Sequence, residues 1–141
     1  PTGFLMFLLD TNVISELRKP QADPAVVAWA RGMAAYKLYI SAITLLEIET
    51  GILRLERRDS SQAAILRTWL EGHVIPAFAG RVLSIDSQVA RRCARLHVPD
   101  RSNECDALIA ATALVHDMTI VTRNAKDFTF DGIAVINPWE C

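Results

Sequence analysis

From Phe4 to Leu9 the chain reads FLMFLL, six consecutive apolar residues, and then stops at Asp10. A run this short and this continuously apolar suits a strand buried on both faces, as in the middle of a parallel sheet. Val13, Ile14 and Leu17 then recur at helical spacing until Lys19-Pro20 ends the segment. A strand that hands over directly to a helix is the repeating unit of α/β folds, whose chemistry gathers just past the carboxyl ends of the strands. Asp10 stands at that point.

The remainder alternates in the same way. Asp23-Pro24 offers a cap and a first-turn proline for a helix through Val26, Val27, Trp29 and Ala30 to Gly32. Tyr36 to Ile40 has the composition of a second strand, and Ser41 caps the helix that follows. Gly51 within that helix marks close packing or a bend. Asp59-Ser60-Ser61 starts another helix, which Gly72 and Pro76 are expected to close; the two pack as an antiparallel hairpin. Strands are expected at Val82 to Ile85, Thr119 to Thr122 and Ile133 to Ile136. Helices are expected after Asp86 and from Glu104 to His116, with 99–103 (PDRSN) as a polar loop between them. This order predicts an α/β/α sandwich around a mostly parallel sheet of four or five strands, joined by right-handed crossovers.

Length and charge narrow the rest. The 141 residues suit one domain, and a net charge of -1 with 51% apolar residues excludes a disordered or uniformly basic nucleic-acid binder. Cys93, Cys105 and Cys141 are odd in number and lack CxxC spacing, which suggests neither a zinc site nor a disulfide framework and fits a cytoplasmic protein. No apolar run reaches the roughly twenty residues of a membrane span. The domain is expected to cover 6–139, with Met6 as its natural start and 1–5 outside it.

The topology predicts that distant acids meet. Ser41, Thr44 and Glu47, each three apart, share one side of their helix. Asp106 lies in the first turn of the Glu104 helix, and Asn124 and Asp127 follow the fourth strand. Taken singly, Asp10 and Asp106 serve equally well in helix caps, Glu47 as a solvated residue paired with Arg54 or Lys37, and Asn124 and Asp127 as turn residues. Together they converge on one edge. Two carboxylates about 5 Å apart repel by about 3 kcal/mol at an effective dielectric of 20, so such a cluster calls for a divalent cation. Oxygen-only donors select Mg²⁺ or Mn²⁺, which can activate water and stabilise a phosphoryl transition state.

LLDTNVISEL (Leu8 to Leu17), SAITLLEIETG (Ser41 to Gly51), ECDALIAATAL (Glu104 to Leu114) and IVTRNAKDF (Ile120 to Phe128) together resemble the PIN-domain ribonucleases, specifically VapC-type toxins of the FitB branch. The resemblance implies that Asp10, Glu47 and Asp106 hold the metal, with Asn124 and Asp127 completing the catalytic set. It implies that Thr11, Asn12, Ser41, Thr44, Thr122 and Arg123 orient the substrate or support the ligands. Asn124 departs from the pattern, since relatives carry a fourth aspartate there. The resemblance also implies RNA endonucleolysis leaving 5′ phosphate and 3′ hydroxyl ends. The implied assembly is a homodimer neutralised by a VapB/FitA-type antitoxin and held with it on operator DNA.

Of the basic clusters, Arg123 and Lys126 are read as substrate contacts; Arg54, Arg57 and Arg58, like Arg91, Arg92 and Arg95, are read as solvated helix faces. His73, His97 and His116 are read as structural, and Trp29 and Trp69 as packing residues. An alternative function is a catalytically silent PIN-like module that binds an antitoxin and takes part in DNA-bound autoregulation. Phosphatases of the haloacid-dehalogenase type want a second aspartate where Asn12 stands, and receiver domains want an acidic pair where Leu9-Asp10 stands.

Overall fold

A computed structural model describes residues 5–141. Phe4, at the head of the expected first strand, lies outside them. β1 (Phe7–Leu9) is buried throughout and occupies the middle of a five-stranded sheet in the order β3-β2-β1-β4-β5. Its neighbours are β2 (Leu38–Ser41) and β4 (Thr119–Val121), with β3 (Val82–Leu83) and β5 (Val135–Ile136) at the edges; every pairing is parallel. Successive side chains of β1 alternate between faces, as a strand's period of two requires. Phe7 and Leu9 enter one apolar core with Ile40 and Val121, while Leu8 enters the other with Ile109, Ala110 and Ile120.

The first core is covered by α1 (Thr11–Arg18), α2 (Pro24–Arg31), α3 (Ala42–Glu56) and α4 (Ser60–Trp69), which supply Val13, Val26, Ile48, Ile52 and Ala63. Trp29 stands edge-on to Phe7, with ring centroids 5.3 Å apart. α7 (Glu104–His116) covers the second core, and α6 (Ser87–Leu96) packs on α7 through Val89 and Cys93. Each long helix starts where the residue types predict. Asp10, Asp23, Ser41, Asp59, Asp86 and Asn103 all cap with a side-chain oxygen that accepts from a first-turn amide.

The strands are shorter than expected. Tyr36 and Lys37 belong to a 3₁₀ turn (Ala35–Lys37) ahead of β2, and Ile85, Thr122 and Ile133 fall outside the ladders. The larger correction concerns Gly72 and Pro76. The helix passes through Gly72 as a π turn (Leu70–Val74) and continues into α5 (Ile75–Ala77). Pro76 sits at the start of that last segment, and the helix ends two residues later at Phe78.

β1 connects to β2 on one side, whereas β4 joins β1 on the other. The crevice beyond the carboxyl ends of β1 and β4 is therefore the switch point of the sheet, the place where such folds bind ligands.

Candidate active site

Asp10 closes β1 and is only 7% exposed. Its Oδ1 accepts from the Thr11 amide at 2.8 Å, and its Oδ2 accepts from the Thr122 hydroxyl at 2.8 Å and the Asn12 amide at 3.4 Å. Thr122 follows β4, so one hydrogen bond spans the switch point. Its hydroxyl also accepts from Asn12 Nδ2 at 3.2 Å and from the Asn124 amide at 3.0 Å, which uses its single donor and both lone pairs. Asn12 Oδ1 accepts from the Arg123 amide at 3.3 Å.

The Thr11 hydroxyl donates to Glu47 Oε1 at 2.6 Å and lies 3.2 Å from the Thr44 hydroxyl. Glu47 thus meets Thr11, and neither Arg54 nor Lys37 forms an ion pair with it. Asp106 sits half-buried in the first turn of α7, its amide held by the cap oxygen of Asn103 at 3.1 Å. Asp10 and Asp106 both take part in helix caps, as acceptor and as donor, while their carboxylates face the crevice's acids electrostatically. Ser41 is buried and caps α3 by accepting from the Ile43 amide. Asn124 and Asp127 are exposed at the ends of a 3₁₀ turn region after β4. The Arg123 guanidinium rests over the Trp139 ring, 5.2 Å from its centroid.

The acids form one electrostatic unit. Burial pushes the Asp10 carboxyl up against the opposing bonds from Thr122 and Thr11, and the charge of Asp127 adds to the rise. Burial likewise raises Glu47, opposed by Thr11 and reinforced by Asp10. Asp106 is pushed up to about 6, by burial first and then by Asp10, Asp127 and Glu47. The charge of Asp127 acts on both Asp10 and Asp106. Burial with like-charge crowding is the pattern expected at a functional site.

These donors are all oxygen and mostly anionic, a set suited to a hard divalent ion and unsuited to a soft one. Among the described residues no three of their ligand atoms lie within 4.8 Å of one another; the group that closes to that distance is Cys93, His97 and Glu104 instead. That second group was not anticipated from the sequence, although Cys93 and His97 four apart on one helix face were its signal. Its chemistry argues against a metal. His97 Nδ1 accepts from the Ser102 amide at 3.0 Å, which leaves the ring proton on Nε2, the atom facing Cys93 and Glu104 at 3.8 Å. Metal-bound histidines show the reverse, donating from the far nitrogen. Burial also raises the Cys93 thiol, so it stays protonated. The cluster fastens the turn between α6 and α7, in keeping with a structural His97.

With this geometry in hand, the PIN-domain profile matches residues 7–134. The chain belongs to the PIN-domain family. It is 40% identical over 140 residues to the VapC ribonuclease Y4jK of Sinorhizobium fredii, covering 96% of this chain and 99% of that one. It is 39% identical over 140 residues to the toxin FitB of Neisseria gonorrhoeae, covering 95% and 99%. Among solved structures, FitAB bound to an IR36 DNA fragment matches with a TM-score of 0.85 at 38% identity, covering 95% of this chain and 96% of that one. The expected fold class, with its five-stranded parallel sheet, is that of the PIN domain.

Proposed function

We propose that this chain, as a PIN domain over 6–139, is the toxin of a type II toxin–antitoxin pair and cuts RNA phosphodiester bonds with Mg²⁺ or Mn²⁺. One observation carries the proposal: carboxyl groups from the end of β1, from α3 and from α7, far apart in the chain, are drawn together at the switch point of the sheet, where burial raises all three and the charge of Asp10 adds to the rise of Glu47 and Asp106. The names of the FitB and Y4jK relatives support the toxin and ribonuclease parts.

Asp10, Glu47 and Asp106 would hold the ion. When bound, it supplies a lowered water pKa and positive charge for the phosphoryl oxygens. The chain's own residues supply position. Thr122 and the Thr11 amide fix both oxygens of Asp10, and the Thr11 hydroxyl with Thr44 aims Glu47. Asn103 seats the α7 turn that carries Asp106. Asn12 links Asp10, Thr122 and Arg123, which ties the loop after β4 to the acid edge. Asp127 and Asn124 follow β4 at the same edge and would face the RNA, with Arg123 and Lys126 beside them.

The FitAB complex with DNA supports a VapB/FitA-type antitoxin as partner and an assembly on operator DNA; a toxin homodimer and a cytoplasmic location complete the proposal. Asn124 motivates a second function, a silent module that binds antitoxin and DNA. The test is RNA cleavage by the full chain. Cutting is expected only with added Mg²⁺ or Mn²⁺ and is expected to fall by roughly a hundred-fold or more in Asp10→Asn and in Asp106→Asn, each with an unchanged fold. Undiminished cutting by either variant, or full cutting in EDTA, contradicts the proposal.

A further inference from the structure

Away from the acid edge, α6 presents Gln88, Arg91, Arg92 and Arg95 along one side. With Leu114 and Val115 of α7 they line a cavity of about 470 Å³. Arg92 and Arg95 continue into an adjoining cavity of about 250 Å³ that also touches Val98 and Asp131. Among the described residues, no carboxylate oxygen lies within 4.0 Å of any of these three guanidinium groups. Arg92 is half-buried all the same. Asp131 lines the adjoining cavity but forms no ion pair with them, so three cations along one groove repel one another with little compensation, and this in a chain whose net charge is -1. An anion with repeated charges is the partner that reverses that sign.

We propose that this groove is a track for the sugar–phosphate backbone of single-stranded RNA, leading its substrate to the acid edge; the proposal rests on the nuclease function above. From Gln88 to Arg95 the row is about 10 Å long at 1.5 Å per residue, room for consecutive phosphates. Arginine forks bind phosphate oxygens in pairs. The main cavity has no aromatic ring for bases to stack on, and Phe130 lines only the adjoining one, so the arginine row reads backbone and leaves sequence to other residues. Its direction also fits. α6 and α7 pack along each other, and His97 at the close of α6 meets Glu104 at the opening of α7, two residues before Asp106. Leu114, on the groove, lies about 12 Å along α7 from Asp106 at the same rise.

The test is binding of a short labelled single-stranded RNA to the full chain in EDTA, where cleavage plays no part, between 50 and 200 mM salt. The exposed pair Arg91→Ala/Arg95→Ala is compared with Arg54→Ala/Arg57→Ala, which removes the same charge from α3 and its end. The groove pair is expected to weaken binding about ten-fold and flatten the slope of log K against log salt by about 1.4 (two contacts at about 0.7 each). The control pair is expected to change binding less than two-fold. In Mn²⁺ the groove pair is expected to raise KM for RNA and leave kcat unchanged. Unchanged RNA affinity and slope, equal losses from both pairs, or a loss confined to duplex DNA would each overturn the track. An unchanged cleavage requirement for Asp10, measured separately, tells its failure from failure of the nuclease function.

Discussion

Asp10 does two jobs with one carboxylate: Oδ1 starts α1 and Oδ2 faces the hydroxyl of Thr122 across the switch point. The hydroxyl of Thr11 is the less obvious partner, because among the described residues it is what ties Glu47 to the end of β1, a link over 36 residues of sequence. Thr11→Val keeps the shape and removes that donor. It is expected to lower RNA cleavage while costing only about 1 kcal/mol of stability by urea denaturation; cleavage equal to the parent's would show that Glu47 needs no such guide. The positions of Asp10, Glu47 and Asp106 were legible because strand ends and helix first turns are visible in the pattern of apolar residues. The hydroxyl links were not, since nothing in the spacing of Thr11 and Thr44 says that two helices bring them together. Nor does any local signal show that Arg123 turns its guanidinium to Trp139.

Among the elements, β1 and the caps were the most legible, because a continuous apolar run and an Asp, Ser or Asn before a helix have direct physical meanings. The stretch around Gly72 and Pro76 was the least. Both are helix-ending residues in isolation, yet the chain carries on through Gly72 as a π turn and past Pro76 to Ala77, with Leu70 and Val74 buried. The end of this segment depends on one side chain. Arg81 donates to the carbonyls of Ala77, Ala35 and Leu38, joining α5, the 3₁₀ turn before β2 and β2 itself. Arg81→Ala is expected to destabilise the fold by on the order of 2 kcal/mol, since it strips a charged donor from three carbonyls. In the central layer, Leu8→Ala, at a side chain with no exposure, is expected to cost about 3 kcal/mol. Urea midpoints check both, and a Leu8→Ala change milder than a surface substitution would contradict the central place of β1.

For the molecule as a whole, the acid edge is a stability deficit that the rest of the fold carries. Asp10, Glu47 and Asp106 all have raised pKa values, so the folded state holds protons more tightly than the unfolded chain. Their contribution is therefore full below the unfolded values near 4 and is lost as pH rises, through about 6 for Asp106. Metal-free protein is expected to lose Tm between pH 4 and pH 7, with a smaller loss in Asp106→Asn, as differential scanning calorimetry would record. Mn²⁺ is expected to raise Tm more at pH 7 than at pH 4, where Asp106 is protonated. The most direct measurement is a calorimetric titration of Mn²⁺ into the full chain at pH 7, beside Asp10→Asn. A saturable heat in the parent that Asp10→Asn removes is the expected result. No saturable heat, or one that the variant retains, would mean that these acids meet for some purpose other than holding a cation.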